Sequence, residues 1–289
     1  MPEDKTSDKR RKMSVSEMLT YSTVQIRCDY ADGSAGAGTG FIINICENKD
    51  NNTYVPILVT NKHVVDNSTQ AFFDFCQADK DGNPVDAEIF SVKLIDVKWT
   101  PHPDPTVDLC FLPLGILLAG IKKQDIKPFY IPLSSNLIPS AETVQNLLAL
   151  EDVVMVGYPI GLSDPYNHKP IIRRGITATH PKNDYRGQKE ILLDIAAFPG
   201  SSGSPVFILN QGAYATADGV TLSSSPRILF LGVLYSGPTH SAAGILQFAH
   251  LPNIPTPVTN IPANLGVIIK AERIKDFEKL FPENNGSRA

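Results

Sequence analysis

Short apolar runs rich in β-branched and aromatic residues recur along the chain, bounded by Gly, Pro, Asn and Asp. This is the pattern of β-strands joined by turns. It predicts strands near 22–28, 39–46, 54–60, 70–76, 88–97 and 108–113. A second series is predicted near 152–157, 171–178, 190–196, 204–209, 228–236 and 265–269. The stretch of about 115–150 between the two sets is Pro-rich and then partly helical (AETVQNLLAL), which suits a connector. The closing segment KAERIKDFEKLF (270–281) places Ile274, Phe277, Leu280 and Phe281 on one face of a helix. Two stretches, 210–226 and 238–264, exceed a simple strand connection, and loops of such length are usually functional or mobile. Residues 1–16, with the run Lys9-Arg10-Arg11-Lys12, read as a disordered basic tail.

Composition narrows the function classes. Of 289 residues, 42% are apolar and only 19% charged, so a sizeable core can form and a disordered chain is excluded. The net charge of −4 lacks the basic excess of a dedicated nucleic-acid binder, so no nucleic-acid partner is expected. The most apolar stretch, 109–121, is too short and too interrupted to cross a membrane, and no membrane partner is expected. No apolar run follows the charged N-terminus, so no secretory signal is read there. Cys28, Cys46, Cys76 and Cys110 form no CxxC pair, so no zinc site, metal or cofactor is expected. They read as reduced thiols in a cytoplasmic protein.

The segment DIAAFPGSSGSPVF (194–207) carries the clearest chemistry. A serine nucleophile must stand on a tight loop beside two backbone N–H groups that converge where an oxyanion forms. In this segment Gly200 frees the backbone to turn, Gly203 leaves space behind Ser202, and Pro205 ends the turn at the next strand. The G-x-S-x-G elbow of α/β-hydrolases is not met, because Ser204 stands at its second glycine. A serine needs a base held by a third group. Of six histidines, His63 directly follows a strand in LVTNKHVV, whereas His102 lies in the proline loop PHPDP. Asp108 opens the apolar strand VDLCFLPL, and a carboxylate there needs a partner such as an imidazole N–H.

GTGFII (38–43), LVTNKHVV (58–65), VDLCFLPL (107–114), VGYPIGL (156–162), RRGITAT (173–179), PGSSGSPVF (199–207) and LGVLYSG (231–237) follow one another along the chain. Together they resemble the trypsin-like (chymotrypsin-fold) serine peptidases, most closely the bacterial branch that includes the HtrA/DegP proteases. The resemblance implies an all-β fold of two six-stranded antiparallel β-barrels with a C-terminal helix, in one peptidase domain over 17–281. Barrel one would span about 17–125, barrel two about 150–270 and the helix 270–281. It further implies a triad of Ser202 as nucleophile, His63 as base and Asp108 as its orienter, with the oxyanion hole formed by the N–H groups of Gly200 and Ser202.

The chain departs from the family in three places. Ser201 replaces the Asp that precedes the nucleophile in secreted members, and no Ile-Val-Gly-Gly-type start is present, so activation by clipping is not expected. Asn61-Lys62-His63-Val64 replaces the alanine-cysteine context of the base and its disulfide. Only a short stretch follows the second barrel, so no PDZ domain is expected.

By the same resemblance, the S1 pocket that holds the residue before the scissile bond (P1) is assigned to Ala196, Ala197, Phe198, Tyr235, Ser236, Gly237 and Gly266. With no acid at its base, an apolar P1 preference is expected, and His240 in the 238–264 insertion is a possible substrate contact. The expected partners are a protein or peptide substrate and an activating protein that gates the enzyme. The alternative is a catalytically silent fold acting as a protein-binding module.

Overall fold

In a computed structural model, residues 11–48, 50–121, 126–159, 164, 166–243 and 258–281 are described. The first half contains β1 (Thr23–Tyr30), β2 (Ala35–Asn48), β3 (Thr53–Thr60), β4 (Ser68–Ala78), β5 (Pro84–Ile95), β6 (Thr100–Pro101), β7 (Cys110–Pro113), β8 (Pro128–Phe129) and β9 (Leu133–Ser134). These join in one nine-stranded sheet of order β5-β4-β1-β2-β3-β7-β6, with β8 beside β4 and β9 beside β2. The expected closed six-stranded barrel is therefore replaced by a larger sheet whose hydrogen-bonded path stays open. Of the three strands beyond the six expected, the Pro-punctuated connector yields β8 and β9, and the third, β6, precedes β7.

The second half contains β10 (Asp152–Gly157), β11 (Ile171–Thr177), β12 (Glu190–Asp194), β13 (Pro205–Asn210), β14 (Ala213–Thr216), β15 (Gly219–Leu222), β16 (Arg227–Ser236), β17 (Thr239–Ala243), β18 (Val258–Pro262) and β19 (Leu265–Lys270). A closed six-stranded barrel forms in the order β10-β11-β12-β19-β16-β13. Each of the two stretches expected as long loops contains a two-stranded ribbon, β14 with β15 and β17 with β18. β14 and β15 were illegible as strands because neither face is buried: Val220 and Leu222 stand in solvent.

A short helix, α1 (Val15–Thr20), capped by the Ser14 side chain, precedes β1. It starts inside the stretch expected as a tail, and Arg11 pairs with Glu17 on this helix and with Asp86. Residues 1–10 lie outside the described residues.

Three apolar clusters hold the molecule together. One fills the first sheet around Ile26, Leu58 and Phe73, and one fills the barrel around Met155, Ile195, Leu234 and Ile268. The third joins the halves through Phe41, Phe111, Phe207, Phe230 and Phe277. Phe277 belongs to the closing helix, which is a 3-10 helix over Ala271–Leu280. Its buried residues, Ala271, Ile274 and Phe277, recur every third position, the period of a 3-10 turn. Leu280, expected on the apolar face, is exposed instead.

His102 anchors this helix. Its Nδ1 accepts from the Asp104 N–H, which leaves the Nε2 proton for the Arg273 carbonyl or the Asp276 carboxylate. All four cysteines are free thiols, and burial pushes the Cys28 thiol up to about 11 and that of Cys110 well above its ordinary value.

Candidate active site

β3 carries the chain to a one-turn helix, α2 (Lys62–Val65), on which His63 sits. The side-chain N–H of Asn61, the residue before this helix, donates to the Asp108 carbonyl at 2.7 Å and fixes the start of β7 against the helix. Both carboxylate oxygens of Asp108 then meet His63: Oδ1 accepts its backbone N–H at 3.2 Å and Oδ2 lies 2.5 Å from Nδ1. The imidazole is about half exposed and the carboxylate largely covered. Burial alone would push the Asp108 carboxyl up. Hydrogen bonds from the His63 ring and from the backbone N–H groups of His63 and Lys62 outweigh it and hold the group below its ordinary value.

A depressed folded-state value means that Asp108 stabilises the fold above the ordinary carboxylate value of about 4 and loses this contribution as pH falls below it. The difference in thermal midpoint between the wild type and Asp108→Asn should therefore shrink between pH 6 and pH 3, which a melting series measures.

The loop 198–204 is built from two consecutive turns. The Ser201 N–H donates to the Phe198 carbonyl and the Ser204 N–H to the Ser201 carbonyl, both at 3.0 Å. Gly200 and Gly203 occupy the third position of each turn at φ +86°, which L side chains resist. The Gly203 N–H donates to the Leu234 carbonyl on β16. The N–H groups of Gly200 and Ser202 donate to no acceptor among the described residues. Of the five N–H groups from 200 to 204, the two left over are those assigned to the oxyanion hole from sequence. Ser202 Oγ and His63 Nε2 likewise form no hydrogen bond with each other or with any other described group.

Thr39 on β2 ties this loop to the first half and was not singled out from sequence. Its N–H donates to the Ser202 carbonyl at 2.8 Å and its hydroxyl to the Gly200 carbonyl at 3.1 Å. Its carbonyl accepts the Thr60 hydroxyl at 2.8 Å, and its own oxygen accepts the Tyr158 N–H at 3.0 Å. One fully buried threonine thus joins the nucleophile loop to the strand that leads to His63. GTGFII was legible as a motif, but the partner of Thr39 lies 161 residues away.

Gly203 has no room for a side chain: a methyl group there would lie 1.8 Å from the Thr39 carbonyl oxygen and 2.6 Å from the Thr60 hydroxyl. Backbone cannot yield cheaply to such a clash. Gly203→Ala should cost about 3–5 kcal/mol, the range of severe steric and backbone strain, which denaturant unfolding measures.

The assigned S1 residues separate into three groups. Ala197 is buried between two glycine walls: a methyl group on Gly237 would approach its Cβ to 3.1 Å, and one on Gly266 to 3.6 Å. Ala196 and Phe198 both contact Arg173, a residue not singled out from sequence. The Tyr235 hydroxyl donates to Glu190 at 2.7 Å, and Ser236 is exposed. The side chain of His240 lies outside the described residues. Ser201 is buried with its hydroxyl unpartnered among the described residues. A cavity of about 220 Å³ lies beside Asp108, lined by Asp104, Glu190, Tyr235 and Arg273 among others. Among the described residues, no three His, Cys, Asp or Glu gather to hold a metal, and no helix is long and apolar enough to cross a membrane.

The family model for the trypsin-like peptidase domain matches residues 38–214, and the chain belongs to that family. Among solved structures it is similar to the HtrA-type protease AlgW with tripeptide, at 14% identity and a TM-score of 0.46, covering 92% of this chain and 62% of that one. The Rv3671c protease from M. tuberculosis, in its active form, is similar at 16% identity and 0.44, over 92% of this chain and 86% of that one. A serine endoprotease from Yersinia pestis is similar at 16% and 0.45, over 95% and 69%. Comparison with curated protein sequences gives no match.

Proposed function

We propose that the chain is a serine endopeptidase acting on protein or peptide substrates. The observation that carries this reading is the paired assembly: Asp108 grips His63 from both carboxylate oxygens, while the loop bearing Ser202 keeps two N–H groups unspent. In this reading Ser202 Oγ attacks the scissile carbonyl. His63 Nε2 takes its proton and returns it to the leaving amine. Asp108 fixes the proton on Nδ1 and stabilises the imidazolium, and the Gly200 and Ser202 N–H groups receive the oxyanion. The catalytic unit is the single domain 17–281, with the second barrel supplying the nucleophile and the first half the base. It requires no metal or cofactor, and the compartment is the cytoplasm.

Two features support control by an activating partner. Ser202 and His63 are not yet hydrogen-bonded, although such bonds often tighten only in the substrate complex. A methyl group on Gly237 would come within 3.1 Å of the Ala197 Cβ, so the two lie close together in the resting chain. The same features favour the second reading, a silent fold that only binds proteins. Incubation of the purified full chain with unfolded casein, alone and with cell extract, tests these readings. Cleavage only with extract is expected; cleavage by the protein alone contradicts gating, and none under either condition favours the silent fold.

A further inference from the structure

Arg173 stands on β11 directly opposite Met155 on β10. Directly paired residues of antiparallel strands share a face. Met155 is only 2% exposed and packs in the barrel cluster with Ile195, Ala197 and Leu234. Arg173 therefore faces inward, toward the segment that walls the S1 pocket. Its guanidinium donates to the Ala196 carbonyl at 3.0 Å and stacks over the Phe198 ring at 4.8 Å.

The charge of this group is unanswered. Arg11, Arg27, Arg174, Arg227 and Arg273 each have a carboxylate partner, and Arg186, which has none among the described residues, is exposed to solvent. Arg173 has none among the described residues, and its Nε is buried without an acceptor. A guanidinium keeps its proton in any protein environment, so it cannot escape this cost by neutralising. A partly buried cation without a counter-ion is unfavourable, and one carboxylate would supply both the missing charge and the missing acceptor. Ala197, Gly237 and Gly266 bring no acid to the pocket, and no carboxylate among the described residues pairs with Arg173, which leaves its charge open to a carboxylate on the substrate.

We infer that Arg173 is the specificity-determining residue of the S1 pocket and that the enzyme cleaves after an acidic residue. The inference rests on the peptidase reading above and replaces the apolar P1 preference expected from sequence. Lining this pocket from 194–207, 231–237 and 265–269 misses Arg173, which reaches in from a strand 23 residues before Ala196.

The test uses peptidyl diphenyl phosphonates, which react covalently with a catalytic serine, carrying Glu, Leu, Phe or Lys at P1. Each rate is divided by that of the same protein with a small fluorophosphonate. The full-length wild type should react with the P1-Glu probe at least about tenfold faster than with P1-Leu. Arg173→Gln should cut the P1-Glu rate roughly 10²-fold, the scale of breaking a buried charge pair. Arg173→Glu should move the preference to P1-Lys. Arg174→Gln, altering the exposed neighbour paired with Asp152, should leave the profile unchanged. A wild-type preference for P1-Leu or P1-Phe overturns the inference whether or not the variants fold, as does an acidic preference that survives Arg173→Gln. All probes are applied both without and with the cell extract that supplies an activating partner; failure of the small fluorophosphonate to label the wild type under both conditions overturns the peptidase reading itself, and the P1 assignment with it.

Discussion

Ser202→Ala is expected to lower peptide hydrolysis by on the order of 10⁶-fold while leaving the fold intact. Fluorogenic peptide turnover measures the loss, with any activating partner present. The residue is partly accessible and its hydroxyl holds no hydrogen bond with any described residue, so removal of one oxygen breaks no described contact. The loop is shaped by backbone groups instead: the turns closed by Ser201 and Ser204 N–H, the Gly203-to-Leu234 bond, and the two bonds from Thr39. The residual rate should reflect the oxyanion donors and substrate binding, which do not depend on the serine side chain. His63→Ala should fall by a similar factor. The double variant should be no worse than either single one, because nucleophile and base act as a unit.

Asp108→Asn is expected to cost roughly 10⁴-fold in kcat. The geometry specifies why. Oδ1 accepts the His63 backbone N–H, so the oxygen of an asparagine amide must take that place. Its NH₂ group then faces Nδ1, where the aspartate oxygen stood at 2.5 Å. An N–H donor there forces the imidazole proton onto Nε2, the atom that must be free to accept from Ser202. KM should change little, because neither atom touches bound substrate. A variant with near wild-type kcat would mean that the tautomer is not set by Asp108.

The legible parts of the fold share one cause. Every one of the twelve expected strands corresponds to an observed strand to within a few residues, because each buries a face and so carries an apolar pattern bounded by turn residues. What escaped lacks such a pattern. β14 and β15 form an exposed ribbon, β8 and β9 are two-residue additions, and closure of a sheet is not encoded in any one strand's alternation. The final helix was legible as apolar at every third or fourth position. Burial of only the third-position residues distinguishes its 3-10 form.

The site divides in the same way. His63, Asp108 and the Ser202 loop stand out as candidates because each lies in a short segment whose residue types suit one chemistry. Thr39 and Arg173 do not, since their partners are distant in sequence: a threonine in a strand and an arginine on another carry no local signal of what they face. The departure at Ser201 was visible, and its buried hydroxyl has no hydrogen-bond partner among the described residues.

The central claim is that Ser202 is an activated nucleophile, and mass-spectrometric mapping of a fluorophosphonate adduct tests it most directly. The wild-type protein, with any activating partner present, should carry one adduct, on Ser202. Labelling should vanish in Ser202→Ala and be strongly slowed in His63→Ala. An adduct on another residue, or undiminished labelling of Ser202→Ala, would contradict the account.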